Sequence, residues 1–363
     1  MPGTPYLSAL INTYNHERFI GEAIESILAQ DFPASEMEIV VVDDGSTDGT
    51  REQVLRFGDR VRYIRKENGG QASALNAGFA EARGEIVAML DSDDLWLPQK
   101  ARRVVETFAA NPQAGLVLHP CATQVQGASS GSDDKSFVPV KGYLPADPAS
   151  LLRLGGATTS ATAIRREIAE QILPAPNDVV LFADSYLIAA GIFIAPVATI
   201  AECLTLYRVH GGNLTAFTGP DPVRAKRRYT AFVAAIEATR DFLERSGFST
   251  CHPPASLMLE RMKVVAENLE FTVEAPDRAR YFAHLRRYHR LYRPLWQGRY
   301  RAFHSLLCVA GLVLGYAPFL KAQEFYRSAR PLVRARERLA PASQRQAHAT
   351  ALHTEKSPRV SAG

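Results

Sequence analysis

Four short apolar runs, each stopped by polar residues and each followed by a helical pattern, constrain this chain more than any other feature. Residues Leu7–Thr13 read as a buried strand that runs into Asn12, Thr13, Tyr14 and Asn15. A helical pattern then extends over 15–29, with Phe19, Ile20, Ala23, Ile24 and Ile27 at helical spacing. A second strand over 38–42 stops at Asp43, Asp44 and Gly45, and Ser46, Thr47 and Asp48 can cap the next helix. A third strand covers 61–65, and Gly69 and Gly70 interrupt the chain before a helix over 72–82. A fourth strand over 85–90 ends at Asp91, followed by a helix over 98–110 and a fifth strand over 116–119. This alternation predicts an α/β fold, a mostly parallel sheet with helices on both faces. In such sheets ligands bind beyond the carboxyl ends of the strands, and here three of those ends carry polar clusters.

The second half has a different character. Residues 1–220 hold 17 Lys/Arg against 26 Asp/Glu, a net −9, whereas 221–363 hold 25 against 12, a net +13. The overall +4 therefore hides two electrostatic environments. From 221 the sequence reads as helices over 222–246, 255–273, 277–292, 301–316 and 320–339. The expected organisation is a catalytic domain over 1–220, a helical region over 221–339 and a disordered polar tail over 340–363. Cys121, Cys203, Cys251 and Cys308 form no C-x-x-C pair, so neither a disulfide framework nor a zinc site is indicated. The N-terminus has no charged and apolar leader pattern, and a reducing, cytoplasmic setting fits.

The acidic run Asp91, Ser92, Asp93, Asp94 exceeds what a helix cap needs, because one carboxylate satisfies a cap. Carboxylates so close repel one another unless a cation neutralises them, and oxygen ligands suit Mg²⁺ or Mn²⁺ bridging a diphosphate. Asp43 and Asp44, at another strand end, are placed either to bind a nucleoside or to build a turn.

Together these stretches resemble the family-2 glycosyltransferases of the GT-A fold. The matching segments are LINTYNHERFIGEAIESILAQ (10–30), EIVVVDDGSTDGT (38–50), ENGGQASALNAGFAEARGE (67–85) and AMLDSDDLWLPQK (88–100). The resemblance is specific over about 5–120 and weaker to about 220. It implies a GT-A-type sheet and an inverting transfer of a sugar from a nucleotide-diphosphate donor to an acceptor hydroxyl. By the same resemblance Thr13, Tyr14 and Asn15 line the nucleotide pocket, Asp43 and Asp44 meet the base, and Gly70 lets backbone pass close to the donor. Asn76 fixes the following helix near that pocket. Asp91 and Ser92 lie near ribose and diphosphate, and Asp93 with Asp91 ligates Mn²⁺ or Mg²⁺. The acid base is assigned to Asp184 in LFADSYLIA (181–189), where Ala183 replaces a frequent first acid of a pair; Asp178 is the reserve. Arg208 or His210 would offset diphosphate charge, with His210 also a metal ligand in reach. Uracil is the preferred base and thymine the next. Trp96 and Lys100 are expected to pack rather than react.

The acceptor expected from the resemblance is a glycan or a lipid-linked glycan, in cell-surface polysaccharide assembly. Residues 306–320 are free of charge but, at ~1.5 Å per residue, too short to cross a ~30 Å hydrocarbon core. Between 278 and 345 there are 15 Lys/Arg and only two acids, interleaved with aromatics, which suits an anionic membrane surface or an ordinary helical bundle. No nucleic-acid motif is present, and no G-x-G-x-x-G follows a strand. A non-catalytic binding scaffold on the same fold is the alternative; intact strand-end acids speak against it.

Overall fold

The computed structural model describes residues 5–125, 132–133, 137, 139–154, 158–213, 222–271 and 276–295. In chain order the elements begin β1 (Leu7–Thr13), α1 (Ile20–Leu28), β2 (Met37–Asp43), α2 (Thr50–Leu55), β3 (Arg62–Arg65), α3 (Gly70–Glu81) and β4 (Ile86–Asp91). There follow β5 (Leu95–Trp96), α4 (Lys100–Ala110), β6 (Leu116–Leu118), β7 (Cys121–Val125), β8 (Ser132–Asp133), α5 (Pro148–Arg153), β9 (Thr162–Arg165) and α6 (Arg166–Ile172). The last are α7 (Ala183–Ile194), β10 (Val197–Thr199), β11 (Thr205–Val209), α8 (Pro222–Arg245), α9 (Ala255–Phe271) and α10 (Arg278–Tyr292).

The main sheet has seven strands in the order β10-β6-β9-β4-β1-β2-β3. β3, β2, β1 and β4 are parallel, as expected, but β9 enters antiparallel between β4 and β6. A second sheet, β5-β11-β7-β8, was not anticipated. Its two-residue strands β5 and β8 carry too little pattern to be read, and β11 pairs with β5 and β7 more than 80 positions away.

Side chains alternate across β1 and so feed two cores. Leu7, Ala9 and Ile11 join Ile20, Ile24, Ile27, Val104 and Phe108 beneath α1 and α4. Leu10 faces the other way, with Val40, Val42 and Met89, against α3 and α7. That second core continues without a break into Phe232, Ala235, Ile236, Met258 and Met262 of α8 and α9. Phe182 meets Phe232 edge-on at 4.9 Å between centroids, and Phe193 meets Phe248 at 5.0 Å. Helices α8 and α9 thus share a core with the sheet, while the expected division at 220 falls outside the described residues.

One sequence expectation is corrected. The first helix begins at Ile20 rather than near 15 because Asn15 is held left-handed (φ 55°), its N–H given to Ser46 Oγ and its side-chain oxygen accepting from Thr47 N–H. The basic stretch is also partly neutralised internally. Arg280 pairs with Glu270 at 2.7 Å, Arg287 with Glu260 at 2.9 Å and with Glu267, and His284 with Glu267 at 2.7 Å, all between α10 and α9. Residues 301–316, 320–339, the apolar run 306–320 and the tail 340–363 lie outside the described residues. Among the described residues no helix is long and apolar enough to cross a membrane.

Candidate active site

Parallel register brings the strand-end clusters side by side. Thr13 pairs with Asp43, and Asn12 pairs with Asp91. The carboxyl ends of β1, β2 and β4 therefore make one edge. Along it the side-chain amide of Asn12 and the hydroxyl of Thr13 are buried without a partner among the described residues. Buried polar atoms of this kind are rare and mark a place where a ligand or water completes the bonding. Tyr14, by contrast, is 44% exposed at the same edge.

On the β2 side the acids are fully engaged. Asp43 accepts the Ser46 N–H at 2.7 Å and the Tyr63 hydroxyl. Asp44 accepts from Lys66 Nζ at 2.7 Å and from the N–H groups of Gly69 at 3.0 Å and Gly70 at 2.7 Å. Gly70 is left-handed (φ +84°), and a Cβ there would lie 2.8 Å from Val180 Cα. Its close approach is thus to the 180 segment of the chain. Asn76 is directed away from the strand ends. Its amide gives a hydrogen to the Ala175 carbonyl and accepts the Ala175 N–H, both at 2.8 Å, so it clamps the loop before α7.

On the β4 side the acids are crowded. Ser92 Oγ lies 2.6 Å from His16 Nδ1. Asp93 Oδ2 meets His210 Nε2 at 3.2 Å and accepts from Asn213 Nδ2 at 3.0 Å. Asp94 accepts the Arg208 N–H at 3.0 Å, but its second oxygen is buried with no partner. Burial, followed by the charges of Asp93, Asp94 and Asp184, holds the Asp91 carboxyl well above the usual carboxylate range. Burial and Asp93 push Asp94 up to about 8. Arg208 reaches over the Phe19 ring, 5.0 Å from its centroid, and pairs with Glu22. His210 stacks on the same ring at 4.3 Å.

The turn at Thr159 and Ser160 joins these parts, and sequence reading had named neither as a site residue. The Thr159 N–H donates to Asp184 Oδ2 at 3.1 Å, and its hydroxyl lies near the side chains of both Asp91 and Asp184, where it offsets part of the rise in their pKa. The Ser160 hydroxyl accepts the Asp91 N–H at 3.0 Å and offsets part of the rise at Asp94. Gln71 gives its amide to Thr159 Oγ1 at 3.2 Å and accepts the Ala183 N–H at 3.0 Å, linking the Gly70 turn to the start of α7. Beneath the turn, Lys100 is fully buried, 2.6 Å from the Ser160 carbonyl, 3.2 Å from Thr205 Oγ1 and 4.4 Å from the Trp96 ring centroid. Burial lowers its pKa to about 7. Asp184 stands in the first turn of α7, also accepting the Ser185 N–H at 2.7 Å, and burial raises its pKa. Asp178 lies on the exposed loop before that helix.

Do these residues suit a divalent cation? Among the described residues no three His, Cys, Asp or Glu side chains form a self-sufficient cage. Two or three carboxylates whose mutual repulsion is unrelieved, one with an unpartnered buried oxygen, are nevertheless the incomplete oxygen set that Mg²⁺ or Mn²⁺ takes when substrate phosphates supply the rest. The residues present fit the ion.

Residues 8–173 match the profile of Glycosyl transferase family 2. An uncharacterized glycosyltransferase of Nostoc sp. is 37% identical over 258 residues, which cover 67% of this chain and 77% of that relative. The chain belongs to the family-2 glycosyltransferases, and it is a glycosyltransferase enzyme of the GT-A fold. The poly(ribitol-phosphate) beta-N-acetylglucosaminyltransferase TarS of Staphylococcus aureus is 40% identical over 91 residues, only 24% of this chain and 16% of TarS. The structure of TarS 1-349 in complex with UDP-GlcNAc superimposes with a TM-score of 0.50 at 16% identity, covering 86% of this chain and 93% of that one. The mannosyltransferase PcManGT from Pyrobaculum calidifontis, in complex with GDP-Man and Mn²⁺, gives 0.50 at 21% identity, covering 91% and 87%. These likenesses are of fold.

Proposed function

We propose that this chain transfers a sugar, with inversion, from a UDP-sugar to the hydroxyl of a glycan or lipid-linked glycan acceptor in cell-surface polysaccharide assembly, on the cytoplasmic side. The observation that carries this reading is the Thr159 bridge, which sets the carboxylate of Asp184 beside the strand-end acids but on a different element. A base and a leaving-group site must face each other across the anomeric carbon for in-line displacement. Thr13, Tyr14, Asn12 and Asp43 lie where the nucleoside would sit, with Tyr14 free to cover a flat ring. Asp44 and Asn15 hold the two loops that frame it.

Asp93 and Asp91 would hold the divalent ion, with His210 at Asp93 and Asp94 behind. When bound, such an ion offsets the charge that develops on the diphosphate. Arg208 and His210 add positive or hydrogen-bonding character on the same side. Asp184 takes the acceptor proton, and its raised pKa gives it more basicity than an ordinary carboxylate. TarS acting on poly(ribitol-phosphate), and its complex with UDP-GlcNAc, support a UDP-sugar and a polymer acceptor as the starting assay.

Calorimetry with UDP, dTDP, GDP and ADP, with and without Mn²⁺, tests the reading. Binding of UDP that strengthens with Mn²⁺ is expected. Metal-independent binding, or preference for GDP, would overturn the assignment of the strand-end acids or of the base pocket respectively.

A further inference from the structure

Helix α8 has an apolar stripe and, beside it, a mixed one. The first, through Phe232, Ala235, Ile236, Phe242 and Leu243, packs into the core beneath α7. The second follows Val223, Arg227, Thr230, Ala231 and Ala234, an i+3/i+4 face turned towards the loop before α7. With the loop before α7 it forms a groove of about 580 Å³, in the size range of small-molecule sites. Val180 and Val223 are exposed there, by 38% and 80%, and Ala231 and Ala234 supply the floor.

The floor of the groove is aliphatic, and among the described residues that line it none is aromatic. Sugar rings are commonly held against aromatic faces, so an aliphatic floor suits an alkyl or isoprenoid chain better than a glycan. Its rim is cationic: Lys226 and Arg227 line it and make no ion pair among the described residues, while Arg224 and Arg228 stand beside them on α8. Asp178 is the one acid among the described residues that line it. One wall of the groove, at Val180, borders the Gly70 turn of the site described above. Val180 accepts the Gln71 N–H at 2.9 Å, its backbone abuts Gly70, and Asp184 opens α7 four residues later.

We propose that this groove holds the lipid anchor of the acceptor, an apolar chain ending in phosphate or diphosphate, with Lys226 and Arg227 on the phosphate and the valines and alanines on the chain. The proposal rests on the acceptor side of the reading above and narrows the acceptor to a lipid-linked one. An apolar chain fills the stripe, and its anionic end meets the cations at the rim. The acceptor hydroxyl then extends towards Asp184.

The test uses farnesyl phosphate as probe, titrated by calorimetry into the full chain below its micelle concentration, beside inorganic phosphate and farnesol. Wild type is expected to bind farnesyl phosphate and to give no heat with inorganic phosphate at the same concentration. The double variant Lys226→Glu, Arg227→Glu should bind roughly 10-fold more weakly, as reversing two charges beside a phosphate implies. Thr230→Trp, at an exposed lining position, should fill the groove and weaken binding to a similar degree. Both variants should bind UDP as wild type does. No binding to wild type, unchanged binding in Thr230→Trp, or equal affinity for inorganic phosphate overturns the proposal. Failure of wild type to bind UDP would instead count against the donor reading, and the farnesyl phosphate titration would still judge the groove.

Discussion

Two acidic pairs end neighbouring strands of the same sheet, yet they live in opposite conditions. Asp43 and Asp44, after β2, are met by two hydroxyl or ammonium groups and three backbone N–H groups. Asp93 and Asp94, after β4, have fewer partners, His210 and Asn213 on Asp93 and the Arg208 N–H on Asp94; they face other carboxylates, and one buried Asp94 oxygen has no partner among the described residues. The first pair builds a loop; the second is an unfinished charge set. Acid-rich strand ends therefore do not all do the same work. What separates them is how many donors the fold supplies around each carboxylate.

The sharpest attack on this contrast lies with the base. Asp184→Asn keeps the shape and its bonds from Thr159 and Ser185 N–H in part, but removes basicity. Turnover should fall by about 10²–10⁴-fold with UDP affinity unchanged. Retained turnover would move the base elsewhere, with Asp178 next to be replaced. The same protein permits a pH test: because burial raises the Asp184 pKa, the acid limb of kcat/KM should lie above the ordinary carboxylate range and vanish in the variant.

Asp93→Ala comes next. It removes the partner of His210 and Asn213 and one expected oxygen of the cation site. Turnover should drop by about 10²–10³-fold. The rise in Tm that Mn²⁺ gives wild type should disappear, since an ion stabilises only the state that binds it. A full Mn²⁺ shift in Asp93→Ala would show that the second cluster is not the ion site.

Asp44→Asn probes the first cluster. It removes the charge opposite Lys66, and the amide cannot accept all three donors as the carboxylate does. Urea denaturation should show a loss of about 2 kcal/mol, with or without Mn²⁺. A loss cancelled by Mn²⁺ would mean that both clusters belong to one ion site and that the contrast between them is mistaken.

Much of this was legible in the sequence, for reasons tied to range. The strands β1, β2 and β4 carry continuous apolar runs, so their ends, and hence Asp43, Asp91 and Asp93, could be found by pattern alone. Helices α8, α9 and α10 were placed within about two residues by their period. The bridge through Gln71, Thr159 and Asp184 could not be found this way, because it joins residues 88 and 112 positions apart from Gln71 and its bonds run between loops. The only signal was a cluster of small hydroxyl residues ahead of β9. Asn76 shows the reverse failure. The family resemblance put it at the donor pocket, whereas its amide bonds to both the carbonyl and the N–H of Ala175.

The smallest expected effect has the opposite sign. Asp94 is buried, and its raised pKa means that the folded protein holds a proton there that the unfolded chain has released. Native protein thus binds more protons between about 4 and about 8, so this group lowers stability as pH rises through that window. Asp94→Asn replaces the carboxyl by a neutral group that can still accept the Arg208 N–H. Without metal the variant should gain on the order of 1 kcal/mol, and the gain should be larger near pH 7 than near pH 5. Adding Mn²⁺ should shrink it, because a cation favours the ionised wild-type cluster over the variant's. A substitution that destabilises at both pH values, as Asp44→Asn is expected to do, would mean that Asp94 is a satisfied structural acid. A gain that depends on pH and is reversed by metal would mean that the β4 cluster is held in a state of mutual repulsion that a proton or a bound cation relieves.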